Sequence, residues 1–271
     1  MVNENASFAL LSKNAVSRII TSIIQTQKDP FKTPLLHPSM IGFLLIDKPV
    51  DITSHDVIAR LRRITGVKRI GHAGTLDPFA TGLLLVGVGR EATREMQKLV
   101  GLDKRYEATF VLGTSSTTDD IKGELSEPVL TNHLTKDQIQ EAIRSFTGEN
   151  DQVPPTYAAI KIEGKKLYEL ARAGKPTLVE PRHVTIYSIE PVSDLSNTSD
   201  IAVKIHCSSG TYIRSIARDL GAKLETGGYV ETLRRTSIGP FTVEEALKLE
   251  QVTKENWLIS LIPVDTFLAR L

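Results

Sequence analysis

The 271-residue sequence predicts an α+β fold with a mixed sheet, and two patterns carry that prediction. Several strand-like stretches between 157 and 207 follow one another with no helix between them. Others, between 41 and 113, are separated by helical stretches. A regular parallel α/β fold would alternate throughout.

"IGFLLID" (41–47) reads as a strand and "DKPVDI" as a proline-containing turn. Thr53 and Asp56 have the spacing of a capping box. Val57, Ile58, Leu61 and Ile64 follow at helical spacing, with Arg60, Arg62 and Arg63 on the opposite face, until Gly66 stops the helix. "GLLLVGVG" (82–89) is a continuous apolar run that suits a strand buried on both faces. "EATREMQKLV" (91–100) reads as one helix, and "KRYEATFVLG" (104–113) alternates as a strand. Thr135 and Gln138 cap a helix carrying Ile139, Ala142, Ile143 and Phe146. "YAAIKI" (157–162), "HVTIYSIE" (183–190) and "IAVKIHC" (201–207) read as strands, and 212–225 as a helix with Ile213, Ile216, Ala217, Leu220 and Leu224 along its apolar stripe.

Composition is that of a globular protein, with 41% hydrophobic and 24% charged residues and a net charge of +1. The charge is unevenly placed. Arg60, Arg62, Arg63, Lys68 and Arg69 fall within ten residues that hold no acid, whereas 119–151 has eight acids against three bases. A locally basic face of this kind suits phosphate contacts; a solvated helix face gives the same pattern. The single cysteine, Cys207, excludes an internal disulfide and a multi-cysteine zinc site. No apolar run approaches membrane-spanning length. Residues 1–40 are too acidic and too poor in arginine for an organellar leader, so they are expected to form an N-terminal extension of a cytoplasmic protein.

The most tightly specified stretch is "RIGHAGTLDPFATG" (69–82). Pro78 restricts Asp77 to extended backbone, and Gly71, Gly74 and Gly82 allow close approach of another backbone or a ligand. Such a loop aims one acid at one place, or uses it to hold turn amides. His72, five residues earlier, has no metal-ligand spacing to Asp77. Neither a phosphate-binding G-x-x-x-x-G-K loop nor a G-x-S-x-G nucleophile elbow is present. A second stretch, "CSSGTYIRSIARDLG" (207–221), puts Thr211, Tyr212 and Arg214 where a strand gives way to a helix. Arg214 there either pairs with a carboxylate, lowering its pKa, or meets a phosphate.

"GHAGTLDPFATGLL" resembles the catalytic motif of the B-type tRNA pseudouridine synthases, the TruB family. "LLIDKPVDITSHDV", "DKRYEATFVLG", "VPPTYAAIKIEGKKLYELAR", "CSSGTYIRSIARDLG" and "YVETLRRTSIGPF" resemble further motifs of that family, in the family's order. The resemblance implies a largely antiparallel central sheet with flanking helices. It implies an N-terminal extension (1–40), a catalytic domain over 41–250 and a short tail (251–271) without a complete PUA-type domain; within the catalytic domain the acidic stretch and "VPPTY" mark about 114–180 as an insertion or subdomain.

The implied reaction is isomerisation of uridine to pseudouridine at position 55 in the T loop of tRNA, by a monomer and without a metal, nucleotide or other cofactor. Asp77 is then the catalytic acid, attacking C1′ or removing the 2′ proton. Arg214 holds it ionised, Tyr106 stacks on the extruded base, and Tyr212 serves the later loss of the C5 proton. Leu233 excludes water, and Lys48 with Pro49 braces the Asp77 loop. His72, Arg60, Arg62, Arg63, Lys68 and Arg69 contact RNA. A glycosidase would need two facing carboxylates, and the matched motifs offer no second acid.

Overall fold

The computed structural model describes residues 40–158, 161–162, 165–166, 179–192, 195 and 198–271. Residues 1–39 of the expected extension lie outside them, as do Arg172 and Lys175.

The helix start at Thr53 forms as its sequence dictates. Asp56 N–H donates to Thr53 Oγ1 at 3.0 Å, and Asp56 Oδ2 accepts from Thr53 N–H at 2.8 Å. Helix α1 (Ser54–Thr65) ends at Gly66 in the left-handed conformation. Ahead of it, β1 (Gly42–Lys48) pairs antiparallel along its whole length with β3 (Thr81–Val88), and β2 (Ile70–Ala73) pairs on the other edge of β3. Both faces of the β1–β3 pair are covered. Leu44, Ile46, Leu84 and Val86 point toward α1, while Phe43, Leu45, Leu83 and Leu85 form a second core with Leu99 and Phe267. The continuous apolar run of β3 answers to that double burial.

The helix expected over 91–100 is two short ones, α2 (Gly89–Arg94) and α3 (Met96–Val100). Thr93 Oγ1 donates to Gly89 O at 2.9 Å and to Arg90 O at 3.1 Å, and this side-chain competition with the backbone ladder sits at the break.

Strand β4 (Lys104–Leu112) buries Tyr106, Ala108, Phe110 and Leu112 and exposes Arg105 and Glu107. Its apolar face is covered by α4 (Lys136–Arg144) and by α5 (Ile213–Lys223). Strand β5 (Gly148–Gln152) closes one edge of the sheet. Of the strand expected at 157–162, Tyr157 lies in a turn and Lys161–Ile162 is β6, paired with β7 (Lys165–Lys166). Strands β8 (Arg182–Pro191) and β9 (Asp200–Cys207) form as their alternation predicts. β10 (Gly228–Ile238), β11 (Phe241–Thr242), β12 (Leu247–Lys248), β13 (Ile262–Pro263) and α6 (Val264–Leu268) complete the chain.

The main sheet runs β12-β1-β3-β10-β4-β9-β8-β5, with β2, β11 and β13 attached beside β3, β10 and β1. Only β1–β12 and β3–β10 are parallel, so the sheet is mixed and largely antiparallel, as expected. The β3–β10 contact is two residues long, Thr81 to Arg234 and Gly82 to Arg235. This seam joins the halves of the sheet and leaves room beside it.

Closeness at the seam explains Gly82. Its φ is +102°, and a Cβ there would stand 2.3 Å from Arg235 O. Gly82→Ala is therefore expected to lower unfolding free energy by about 3 kcal/mol in urea titration. A loss below about 1 kcal/mol would mean that the seam can widen without cost.

Candidate active site

The Asp77 loop is held from below by main-chain carbonyls that meet buried donors. Lys48, at the end of β1, is wholly buried and donates through Nζ to Pro49 O (2.9 Å), Ile52 O (2.8 Å) and Pro78 O (3.2 Å). Ser54 Oγ accepts from Leu76 N–H at 2.9 Å, and Asp51 N–H donates to Pro78 O at 2.8 Å. Residues on both sides of Asp77 are thus fixed. Burial pulls the Lys48 ammonium down to about 8, with the charges of Asp77 and Asp51 opposing.

Arg214, in the first turn of α5, meets the acid. Its Nε lies 3.0 Å from Asp77 Oδ2, and Nη2 donates to Asp77 Oδ1 at 3.3 Å. The same guanidinium reaches Asp120 Oδ2 (3.3 Å) and Thr118 O (3.0 Å) through Nη1, and Tyr157 O (3.3 Å) through Nη2. One cation therefore serves two carboxylates. Burial raises the Asp77 pKa; Arg214 and Lys48 pull it down, and Asp120 pushes it up. Sequence alone led to the expectation that Arg214 would lower it. It does act in that direction, but shared between two acids it compensates each only in part, and burial outweighs it.

Asp120 is held in turn. Its Oδ1 accepts from Thr118 Oγ1 at 2.6 Å and from Lys122 N–H at 2.9 Å. One turn further along α5, Arg218 Nη1 donates to Asp119 Oδ2 at 3.0 Å and Nη2 to Val153 O at 2.9 Å. Adjacent aspartates thus tie the 118–122 turn to two successive turns of one helix.

Asp77 and Arg214 open into a cavity of about 280 Å³ that Tyr106, Tyr212 and Leu233 also line. Tyr106 is 9% exposed, and burial raises the pKa of its phenol. Tyr212 starts α5 and exchanges two hydrogen bonds with the Gln152 side chain, 2.7 and 3.1 Å long. Burial raises its phenol pKa as well, with Arg182 opposing. Among the described residues no cluster of three His, Cys, Asp or Glu converges to hold a metal.

Two family models cover this architecture. Residues 62–213 match the TruB family pseudouridylate synthase N-terminal domain, and residues 214–269 match the tRNA pseudouridylate synthase B C-terminal domain. The chain belongs to the TruB family.

Among proteins similar to it, tRNA pseudouridine synthase B of Thermobifida fusca is 46% identical over 220 residues, 79% of this chain and 75% of the relative. The Corynebacterium jeikeium protein of the same name is 48% identical over 224 residues, 80% of this chain and 72% of the relative. Two solved structures share the fold. One is a Cbf5-Nop10-Gar1 complex, with TM-score 0.61, 28% identity and 83% of this chain covered. The other is the archaeal box H/ACA sRNP Nop10-Cbf5 complex, with TM-score 0.63, 25% identity and 89% covered. This chain spans 59% and 65% of those two chains.

Four of the expected site residues, Asp77, Tyr106, Tyr212 and Arg214, share the TruB cavity with Leu233, and Lys48 lies beneath it. His72 does not line it. It sits on β2 with its ring edge-on to His55, centroids 5.6 Å apart, and burial lowers its pKa to about 4. At neutral pH it is an uncharged ring. Arg60 is half-buried, and Arg62, Arg63, Lys68 and Arg69 are exposed. Arg62 spends Nη2 on Ile70 O (3.0 Å), and Arg69 spends Nε on Thr93 Oγ1 (3.0 Å).

Three residues of the site are absent from the sequence reading: Asp120, Lys104 and Arg235. Asp120 is the second acid that the motifs did not reveal. Its carboxylate faces Arg214, 94 residues away, and nothing in the local acidic stretch distinguishes it. Lys104 stands two residues before Tyr106, on the same face of a strand whose alternation the sequence shows, though nothing there marks it as a site residue; Arg235, near Leu233, lies on a strand that the sequence pattern does not reveal.

Lys48→Met would remove the Nζ donor from Pro49 O and Ile52 O and leave Pro78 O with Asp51 N–H alone. The expected cost is about 3 kcal/mol of unfolding free energy, measured by urea titration. An unchanged midpoint would show that water replaces Lys48 and that the loop does not depend on it.

Proposed function

We propose that this TruB family enzyme, an isomerase that converts uridine to pseudouridine in tRNA, acts at position 55 of the T loop with Asp77 as its catalytic residue. The observation that carries this reading is the Asp77 carboxylate, ion-paired to a buried arginine at the edge of a cavity that also exposes a tyrosine ring. The cavity suits one extruded nucleoside, not a duplex, so the target base must leave its stack before any side chain can reach the sugar.

Tyr106 is the platform for the extruded base, a contact that contributes about 1–3 kcal/mol in comparable sites. Asp77 then acts at the sugar, either as nucleophile at C1′ or by taking the 2′ proton. The N1–C1′ bond breaks, the uracil turns, and C5 bonds to C1′. Atoms and electrons balance within the RNA. Leu233 and the apolar lining keep water from the freed base. Tyr212 lies near enough to Asp77 and Arg214 to feel both charges and is the candidate for the C5 proton.

Exposed Arg62, Arg63, Lys68 and Arg69, with Arg60, would meet phosphates, giving affinity that falls with salt and depends little on sequence. Neutral His72 would add shape, not charge. A monomer in the cytoplasm satisfies every role assigned here. No helix among the described residues is long and apolar enough to cross a membrane.

The decisive experiment is tritium release from C5-labelled uridine in a tRNA transcript. Wild type is expected to release it, and Asp77→Asn to release none while binding the transcript within a few-fold of wild type. An active Asp77→Asn protein would remove the central role, and an inactive wild type that binds tightly would indicate an RNA-binding protein without catalysis.

The pH profile gives a second test. Asp77 must be ionised, so activity falls as pH drops through its pKa, which burial raises above the ordinary 3.8. Lys48 pulls that pKa down, so in folded Lys48→Met the acid limb of kcat/KM should move to higher pH. A limb that stays put would mean that another group controls it.

A further inference from the structure

Two buried cations line the cavity without an ion pair to a described carboxylate; Asp103, next to Lys104 in the chain, acts on it only through space and is itself paired with His206. Lys104 is 6% exposed and Arg235 is 1% exposed, and both face the same space as Asp77 and Tyr106. Lys104 Nζ donates to Val100 O at 2.6 Å and to Leu102 O, which leaves one of its three protons unassigned. Arg235 donates from Nε to Leu83 O (2.8 Å) and from Nη2 to Gly74 O (3.1 Å), and its guanidinium lies against the Tyr106 phenol. Neither has an ion pair to a carboxylate of a described residue.

The contrast with their neighbours is sharp. Arg214 is paired with two aspartates, Arg218 with two, and Arg234, next to Arg235, holds both oxygens of Asp47 at 3.0 and 2.8 Å. A buried cation that no carboxylate ion-pairs is costly to keep. It leaves a positive potential in the space it lines, and such a potential favours any group that turns negative there. Burial and the charge of Arg235 together lower the Lys104 pKa to about 8, so it is still largely protonated at neutral pH.

We infer that Lys104 and Arg235 stabilise the negative charge that uracil carries while it is detached from the sugar. The inference rests on the reaction proposed above and adds to it a role for the cationic lining. On either route at Asp77 the electron pair of the N1–C1′ bond leaves with the base. The charge spreads over N1 and the carbonyl oxygens until C5 bonds to C1′; C5 then gives up its proton and N1 takes one up. Asp77 has passed its own charge on by then, esterified at C1′ on one route and protonated on the other, so it offers the departing anion no countercharge. The base is held on Tyr106, whose phenol Arg235 bonds, and Lys104 is two residues before it on the same strand.

The test compares two T-arm stem-loop RNAs, one with uridine and one with 5-fluorouridine at the target position, under single-turnover conditions. Fluorine stabilises the departing anion by itself. Because fluorine does not depart as the C5 proton does, cleavage is followed as loss of the N-linked nucleoside by mass spectrometry. Lys104→Met is expected to slow uridine cleavage about 10²-fold, and 5-fluorouridine cleavage distinctly less. Both rates come from one preparation, so any loss of folded protein cancels in their ratio. Equal slowing on the two RNAs, as a phosphate contact or a purely structural role would give, overturns the inference, and so does no slowing on uridine. Failure of wild type to convert the uridine RNA would overturn the proposed reaction instead.

Discussion

One guanidinium organises this molecule. Arg214 is buried, always charged, and divided between Asp77 on the β2–β3 loop and Asp120 on the turn after β4. Removing one partner of a buried ion pair typically costs about 3–5 kcal/mol, because the charge left behind has no water to turn to. Three segments distant in sequence are therefore held in register by a group that none of them can lose. Thr118 O and Tyr157 O complete its shell, so two further stretches of main chain answer to it. The second contact, Arg218 to Asp119, repeats the device one turn along the helix and keeps the turn from rotating about the first.

The seam between β3 and β10 gives that arginine something to act on. A sheet paired across its whole width would leave no opening. Here the parallel contact lasts two residues, and the loops that flank it expose carbonyls that must be satisfied without a strand partner. Lysine and arginine side chains do this: Lys48 for Pro49, Ile52 and Pro78, Lys104 for Val100 and Leu102, Arg235 for Gly74 and Leu83. Each is long enough to reach under a loop and carries several donors on one head. Loop geometry and local positive charge are thereby set by the same side chains.

What could be read from sequence divides along the range of the interactions. Helix α1 was legible because its signals are local: Thr53 and Asp56 cap each other, and Gly66 takes the left-handed turn. The double burial of β3 was legible from its apolar run. β10 was not read as a strand. Its alternation is interrupted by register shifts at Val230/Thr232 and Arg235/Ser237, and it buries an arginine. The break after Arg94 lies next to a threonine hydroxyl bonded to Gly89 O and Arg90 O, a contact that propensity does not record. At the site, Asp77 was singled out by its loop, yet its spacing alone left a turn-holding role open until the other motifs joined it. Asp120 had no such loop, and only tertiary pairing separates it from the seven other acids of 119–151.

The cavity is polarised as a result. The β2–β3 loop contributes an acid whose charge Arg214 compensates only in part, and β4 and β10 contribute cations without a carboxylate ion pair. Substrate bound there would have its sugar at the acid and its base on Tyr106, near the cations. Breaking the glycosidic bond moves electrons from sugar to base, which is from the negative part of the lining toward the positive part. Fixed charges set in this sense favour the separated state over the intact nucleoside without having to reorganise when the bond breaks. On the inference above they would also hold the detached base while it turns, since their attraction offsets the hydration an anion gains at the cavity mouth. The same arrangement explains why burial of Asp77 is tolerated: its pKa is raised, but Arg214 and Lys48 keep an ionised carboxylate within reach at neutral pH.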